Sequence, residues 1–376
     1  MPPLVFLLAT AVFAQGTSEF MLAGLLTDIA TDLNTTVPRA GMLTSAFAIG
    51  MIFGAPTMAV ATRRLPPRLA LTGFLVVFIA MHVIGATTTS YAVLFGSRIA
   101  AAFANAGFLA LTLATVTALA SPDRLSRAVA TILAGTTLAL VVGVPAGTVV
   151  GTLLDWRAAL WGIAFLSVPA LIAVAITAPR HQDDRANILL NTEWVALQNR
   201  SLIRVLVLCA LINGATFCSF TYLAPVVTER AELRSASVPL VLALFGVGSL
   251  CGVWAAGKYG DRYTSRIVSI GGGALVGGWC CFALLAQLPT AVLLLAFVQG
   301  GLSFALGSTL VSQVMRTAVD APTMSGSFAT ASLNIGAAGG PALGGVVYSS
   351  ALGPTGPLAA SAVLVATALV LRSVLT

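Results

Sequence analysis

Twelve apolar runs, separated by short polar or Gly/Pro-containing breaks, take up nearly the whole of this 376-residue chain. They centre near residues 15, 50, 78, 104, 139, 167, 215, 246, 275, 302, 334 and 365. A membrane span needs about 20 mostly apolar residues, and each run meets that length. With 58% hydrophobic residues, 8% charged residues and a mean hydropathy of +0.99, the chain cannot present its surface to water. The expected fold class is an all-α integral membrane protein. Connections such as 86–91 and 349–357 are so short that neighbouring helices must run antiparallel, and no soluble domain fits between them. The first run, from Leu4 to about Leu26, lacks the basic leader of a signal peptide and stays apolar too long for one.

Charge sits at the margins of the runs. Of the 19 Lys/Arg residues, 14 fall in the loops 61–68, 120–127, 179–204, 258–266 and 316–320 and at the C-terminal end. The alternate loops hold Arg39, Arg157, Arg230 and Arg234. This bias predicts that both termini are cytoplasmic. The net charge of +7 is then mostly topological arginine, which argues against nucleic-acid binding. Cys209, Cys218, Cys251, Cys280 and Cys281 lie inside apolar runs without a CxxC spacing and read as packing residues. His82, with no acid near it in sequence, reads as a packed or lipid-interface side chain rather than a proton relay. No His/Cys/Asp cluster, nucleotide loop or metal spacing appears, so neither an enzyme, a cofactor nor a metal is expected.

The chain repeats itself at a shift of about 198 residues: Gly50, Gly54 and Arg64 fall on Gly248, Gly252 and Arg262. The repeat predicts a six-helix bundle over 1–178, a cytoplasmic linker over 179–201 and a second six-helix bundle over 202–376, pseudo-symmetric with the first. The loop after the eighth run reads GKYGDR, with Asp261 and Arg262 as candidate gating residues, whereas Arg63 stands where an acid would be in the first copy. A Gly/Pro-rich stretch also recurs, as GTTLALVVGVPAGTVVG over 135–151 and GAAGGPALGG over 336–345. Glycine at spacings of three or four lets helix backbones approach, and proline bends a helix, so both stretches suit a moving interface.

These features together resemble the major facilitator superfamily, with its two six-helix halves, basic loops after spans two and eight, span-four arginine and span-five Gly-Pro signature. On that resemblance Arg98 is the span-four arginine. Gly143, Pro145 and Gly147 match the antiporter signature, and Gly336, Gly340, Pro341, Gly344 and Gly345 repeat it in span eleven. The segments AVFAQGTSEFMLAGLL (11–26), INGATFCSFTYLAPVVTE (212–229), VQGGLSFALGSTL (298–310) and GSFATASLNIGAAGGPALGG (326–345) resemble those of actinobacterial chloramphenicol-resistance exporters, a branch of the drug:proton antiporters. The resemblance implies a monomer in the bacterial cytoplasmic membrane that exports a small hydrophobic drug, chloramphenicol foremost, in exchange for protons, by alternating access. Export of a sugar, nucleoside or other metabolite stays open, as does a receptor or scaffold built on a degenerate transporter fold.

Glu19 and Arg98 are the two charges well inside apolar runs. An ionised group in the bilayer costs at least about 2.5 kcal/mol, so one that is kept usually faces a cavity or a partner. Counting along the helices puts Glu19 roughly 6 Å and Arg98 roughly 9 Å outside the midplane, a common level. Glu19 is either a titrating proton carrier, with Arg98 as its fixed regulator, or a structural acid that neutralises Arg98. Gln15 lies one turn from Glu19 on the same face. Asn105, Asn213 and Asn334 fall within about 3 Å of the midplane, where they either contact substrate or bond helices together. Phe217 and Phe220 follow Asn213 at helical spacing, and Gln299 pairs with Ser303 on span ten. These amides and rings are the candidate drug contacts.

Overall fold

The computed structural model describes residues 3–62, 65–119, 125–178, 198–318 and 325–374. Among these residues all regular structure is helical. The long helices are α1 (Pro3–Phe20), α2 (Val37–Thr62), α3 (Pro67–Thr87), α4 (Tyr91–Leu119), α5 (125–153) and α6 (Trp156–Thr177). They continue as α7 (Arg200–Thr221), α8 (Val238–Arg266), α9 (267–285), α10 (Pro289–Thr317), α11 (Ser325–Tyr348) and α12 (Gly356–Val374). Eleven of these helical segments among the described residues are long and apolar enough to cross a membrane. The remaining one, α11, has the length but is diluted by glycine, serine, Asn334 and Pro341.

Local chemistry sets the ends. Pro67 and Pro289 open α3 and α10, where a missing N–H costs nothing. The Asp155 and Asn199 side chains accept the backbone N–H groups of Arg157 and Ser201 and cap α6 and α7. The first apolar run is not one helix to Leu26: α1 ends at Phe20, a 3-10 turn covers Met21–Gly24, and a short helix, Leu26–Asp32, follows. In α5, Pro145 lacks the N–H that would reach the Val141 carbonyl, and the ladder widens just ahead of it into a π-helical turn, Ala139–Gly143. Non-helical backbone angles at Tyr263 kink α8 near its end, just before α9 begins.

The chain forms two compact units, Met1–Thr35 with Ala46–Ala186, and Thr36–Ser45 with Asn187–Thr376. The first residues of α2 thus group with the second unit and the remainder of that helix with the first. Each unit uses the same packing scheme. In the first, α1 packs on α5 and α6, and α3 on α4 and α6; in the second, α7 packs on α11 and α12, and α9 on α10 and α12.

The repeat extends to atomic contacts. Gly50 and Gly54 of α2 lie against Ile99, Ala102, Phe103 and Ala106 of α4, whereas Gly248 and Gly252 of α8 lie against Phe297, Gly301 and Ala305 of α10. A β-carbon at Gly54 would stand 2.9 Å from the Phe103 Cα, and one at Gly248 3.1 Å from the Gly301 backbone nitrogen. Ile99 and Phe103 fall on Phe297 and Gly301 at the same shift of 198 residues. Without water to drive association, close van der Waals contact of this kind is one of the forces that hold membrane helices together.

Candidate functional site

In the first unit, Arg98 is buried on α4 and turned toward α1. Its Nη1 donates to the Ser18 hydroxyl at 2.8 Å and its Nη2 to the Ser18 carbonyl at 2.7 Å. The Phe47 ring of α2 lies under the guanidinium, 4.4 Å from Cζ to centroid. Charge-assisted hydrogen bonds contribute about 1.5–3 kcal/mol each, and a desolvated cation–π contact about 2. Arg98 is therefore held on three sides without a carboxylate in direct contact, and its buried Nε–H has no partner among the described residues.

Glu19 follows Ser18 in the chain and feels the Arg98 charge through space. It is only partly buried. Among the described residues the ion pairs within 4 Å include those of Arg157 with Asp32 and Asp155, but none of Glu19. One turn earlier, Gln15 is buried with neither amide atom hydrogen-bonded among the described residues. Such an amide costs about 1–3 kcal/mol for each group left unmade, which favours a site where something else supplies the bonds. The arrangement holds a fixed positive charge, tied to Ser18, near a partly buried carboxylate without bonding the two directly.

His82 is buried and hydrogen-bonded, with Nε2 2.6 Å from the Ser18 hydroxyl and Nδ1 2.7 Å from the Phe78 carbonyl. Neither Ser18 nor His82 figured among the sequence-based candidates. The usable signals were the hydroxyl beside Glu19 and a lone histidine in an apolar run.

The amides expected to meet substrate are mostly engaged with protein. Asn105 of α4 donates toward the Met51 sulfur of α2 at 3.5 Å, and Asn334 donates to Thr330 in its own helix at 2.9 Å. Asn213 of α7 donates to the Leu333 carbonyl of α11 at 2.6 Å. Gln299 of α10 is fully buried and donates to the Leu275 carbonyl of α9 at 3.2 Å, with Gly278 of α9 packed on its side-chain oxygen. That oxygen and the Ser303 hydroxyl have no hydrogen-bond partner among the described residues. Phe217 and Phe220 form an edge-to-face pair, and Phe220 continues through Phe245 to Phe304 with centroid distances of 5.0 and 6.4 Å. This is an aromatic core joining α7, α8 and α10 inside the second unit.

The glycines and prolines of the two recurring Gly/Pro-rich stretches pack each unit. Gly143 and Gly147 of α5 lie against Thr17 and Met21 at the α1 end, while Gly336, Gly340 and Gly344 of α11 lie along Ala210, Gly214 and Cys218 of α7 and Tyr222 just beyond its end. Pro145 stands in the first turn of the α-helical stretch Val144–Leu153 of α5, and the Pro341 carbonyl accepts the Tyr222 hydroxyl at 3.0 Å. Gly345 faces that hydroxyl and Pro38. Arg262 is exposed, its Cζ 5.4 Å from the Tyr263 ring, whereas the Asp261 side chain, Arg63, Arg64 and most of the expected linker lie outside the described residues.

A family model described as Major Facilitator Superfamily matches residues 8–332. A chloramphenicol resistance protein of Streptomyces lividans is 49% identical over 383 residues, covering 100% of this chain and 98% of that protein. The inner membrane transport protein YdhP of Escherichia coli strain K12 is 31% identical over 346 residues, covering 92% of this chain and 89% of its own. Among solved structures, a point mutant of the nucleoside transporter NupG superposes with a TM-score of 0.80 at 15% identity, covering 99% of this chain and 100% of that one. The last likeness concerns the fold.

Proposed function

The chain belongs to the Major Facilitator Superfamily, and from that premise we propose that it exports a small hydrophobic drug, chloramphenicol foremost, in exchange for protons. The observation that carries the reading is the full-length 49% identity to a chloramphenicol resistance protein. Two halves, 1–178 and 202–376 joined by 179–201, alternate access to a binding site from the two faces of a bacterial cytoplasmic membrane. Both termini are cytoplasmic and the protein works as a monomer.

Glu19 carries the proton. Deprotonated, it is attracted to Arg98; protonation from the outer face weakens that attraction, and release toward the cytoplasm resets the carrier. Each charge moved inward across 100 mV is worth about 2.3 kcal/mol, which biases the cycle. Gln15, one turn away and buried with an amide that has no hydrogen-bond partner among the described residues, supports a role in drug contact. Asn213 and Gln299, bonded to neighbouring helices, support a role in holding the second unit together. Drug accumulation in cells expressing the chain, with and without a protonophore, tests this reading. Low chloramphenicol accumulation that rises to the control level when the proton gradient collapses is expected, and accumulation indifferent to the protonophore would sink the coupling. Tolerance that does not extend to phenicols would move the substrate to a metabolite.

A further inference from the structure

With the His82 ring neutral, the hydrogen bonds around Ser18 run in one direction. The Phe78 carbonyl only accepts, so the Nδ1 of His82 carries the ring proton and donates to it. The Nε2 of that neutral ring is then an acceptor, and the Ser18 hydroxyl 2.6 Å away donates to it. The serine oxygen is left with its lone pairs for Arg98, whose Nη1 donates to it at 2.8 Å. The chain thus runs from Arg98 through Ser18 and His82 to Phe78, from α4 through α1 to α3, and every side chain that forms it is buried.

We propose that Ser18 and His82 are positioning residues that tether Arg98 to α1 and keep its guanidinium from closing on the Glu19 carboxylate. The role for Glu19 rests on the function proposed above. With both terminal nitrogens of Arg98 engaged by Ser18, the cation acts on Glu19 through space and leaves that carboxylate free to exchange its proton. No further charge competes for Arg98: Glu19 on α1, His82 on α3 and Arg98 on α4 face the site, and residues 43–62 of α2, 134–153 of α5 and 158–177 of α6 contain no charged side chain. Loss of the Ser18 hydroxyl frees Nη1, loss of the His82 acceptor leaves that hydroxyl free to rotate and loosens its hold on Nη1, and the opposite charge acting on Arg98 is Glu19.

The tether is read without reference to transport by 15N NMR of histidine-labelled protein in nanodiscs, with His181→Gln leaving His82 as the single histidine. The expected spectrum is a neutral ring protonated on Nδ1 between pH 6 and 8, with an Nε2 shift that moves in Ser18→Ala. A ring protonated on Nε2, or one titrating freely in that interval, overturns the proposal. The consequence is read by drug-dependent proton flux against pH in proteoliposomes. In Ser18→Ala and His82→Leu a direct Arg98–Glu19 pair favours the ionised carboxylate, and the flux profile moves to more acidic pH by roughly one unit. His82→Gln, which keeps an acceptor, stays near the parent. Profiles unmoved in Ser18→Ala and His82→Leu overturn the proposal. Glu19→Gln separates the two ideas: if it keeps the parent profile, the proton-carrier assignment fails, and the NMR result alone decides the tether.

Discussion

Gly340 of α11 faces the carbonyl oxygen of Gly214 on α7 so closely that no β-carbon fits between them, and the same substituent would stand 2.9 Å from the Cys218 nitrogen. Both obstacles are backbone and cannot rotate away. Gly340→Ala therefore has to push α7 and α11 apart, at a cost of about 1–3 kcal/mol, the usual range for overpacking. The adjacent Gly339 has open space around it, and Gly339→Ala should be neutral or slightly stabilising. Thermal unfolding of the two variants in detergent, one residue apart, checks this: equal melting temperatures would show that the tight glycine is not a packing requirement.

Asn213 donates to the Leu333 carbonyl at 2.6 Å, which makes it a bond between α7 and α11. Interhelical hydrogen bonds of this kind in membranes average about 0.6 kcal/mol and reach about 1.7. Asn213→Ala is expected to lower stability within that range while leaving drug affinity within about twofold, or about 0.4 kcal/mol. A large loss of affinity with unchanged stability would instead make Asn213 a drug contact. Equilibrium binding and thermal unfolding on the same preparation distinguish the two.

At one end of the first unit, Arg157 joins three connections. Its Nη1 meets Asp32 at 2.6 Å and Asp155 at 3.6 Å, and its Nη2 donates to the Thr88 carbonyl at 3.2 Å. Trp156 donates to the same Asp32 oxygen, and its ring lies 4.4 Å from the Arg157 Cζ. The group is partly solvated, so Arg157→Ala should cost about 1 kcal/mol rather than the several expected of a buried network. The loss should shrink in high salt. Arg157→Lys keeps the charge but not the fork, and should recover less than half. A salt-independent loss would mean that packing on Trp156, rather than charge, is what holds this end.

How far the molecule could be read in advance depended on whether a property belongs to one helix or to two. Span positions follow from runs of apolar residues, and the 198-residue shift that aligned Gly50 with Gly248 also aligns the helices they touch, because the repeat is a repeat of packing. The common level of Glu19 and Arg98 follows from helix rise. What Arg98 touches does not: its partner is Ser18, and the group behind Ser18 is His82, 64 residues further along the chain. Helix rotation decides such contacts, and hydropathy alone does not specify rotation when the helix is apolar nearly all round. The same ambiguity hid that Gln299 turns toward α9, and that Cys209 and Cys218 are buried whereas Cys251, Cys280 and Cys281 are exposed. The short helix Leu26–Asp32 was masked by the apolar run before it, although Asp28 and Asp32, one turn apart, mark where that run meets water.

Asp28 in that short helix lies outside the candidate spans, and its carboxyl is held above the ordinary value of 3.8, first by burial and then by the negative charge of Asp155. A carboxyl raised in the folded state prefers its protonated form there. Its ionisation therefore weakens the fold as pH rises through the folded value, and contributes no penalty below the unfolded one. Asp28→Asn should consequently raise stability at neutral pH, by less than about 1 kcal/mol because the carboxyl is only part buried and solvent screens it. The gain should fade on acidification as the parent aspartate becomes protonated, and it should be smaller in an Asp155→Asn background, where the repulsion is already gone. Melting temperatures of the four proteins at neutral and acidic pH check each step. A stabilisation that persists unchanged at acidic pH would locate the effect in side-chain packing instead of charge.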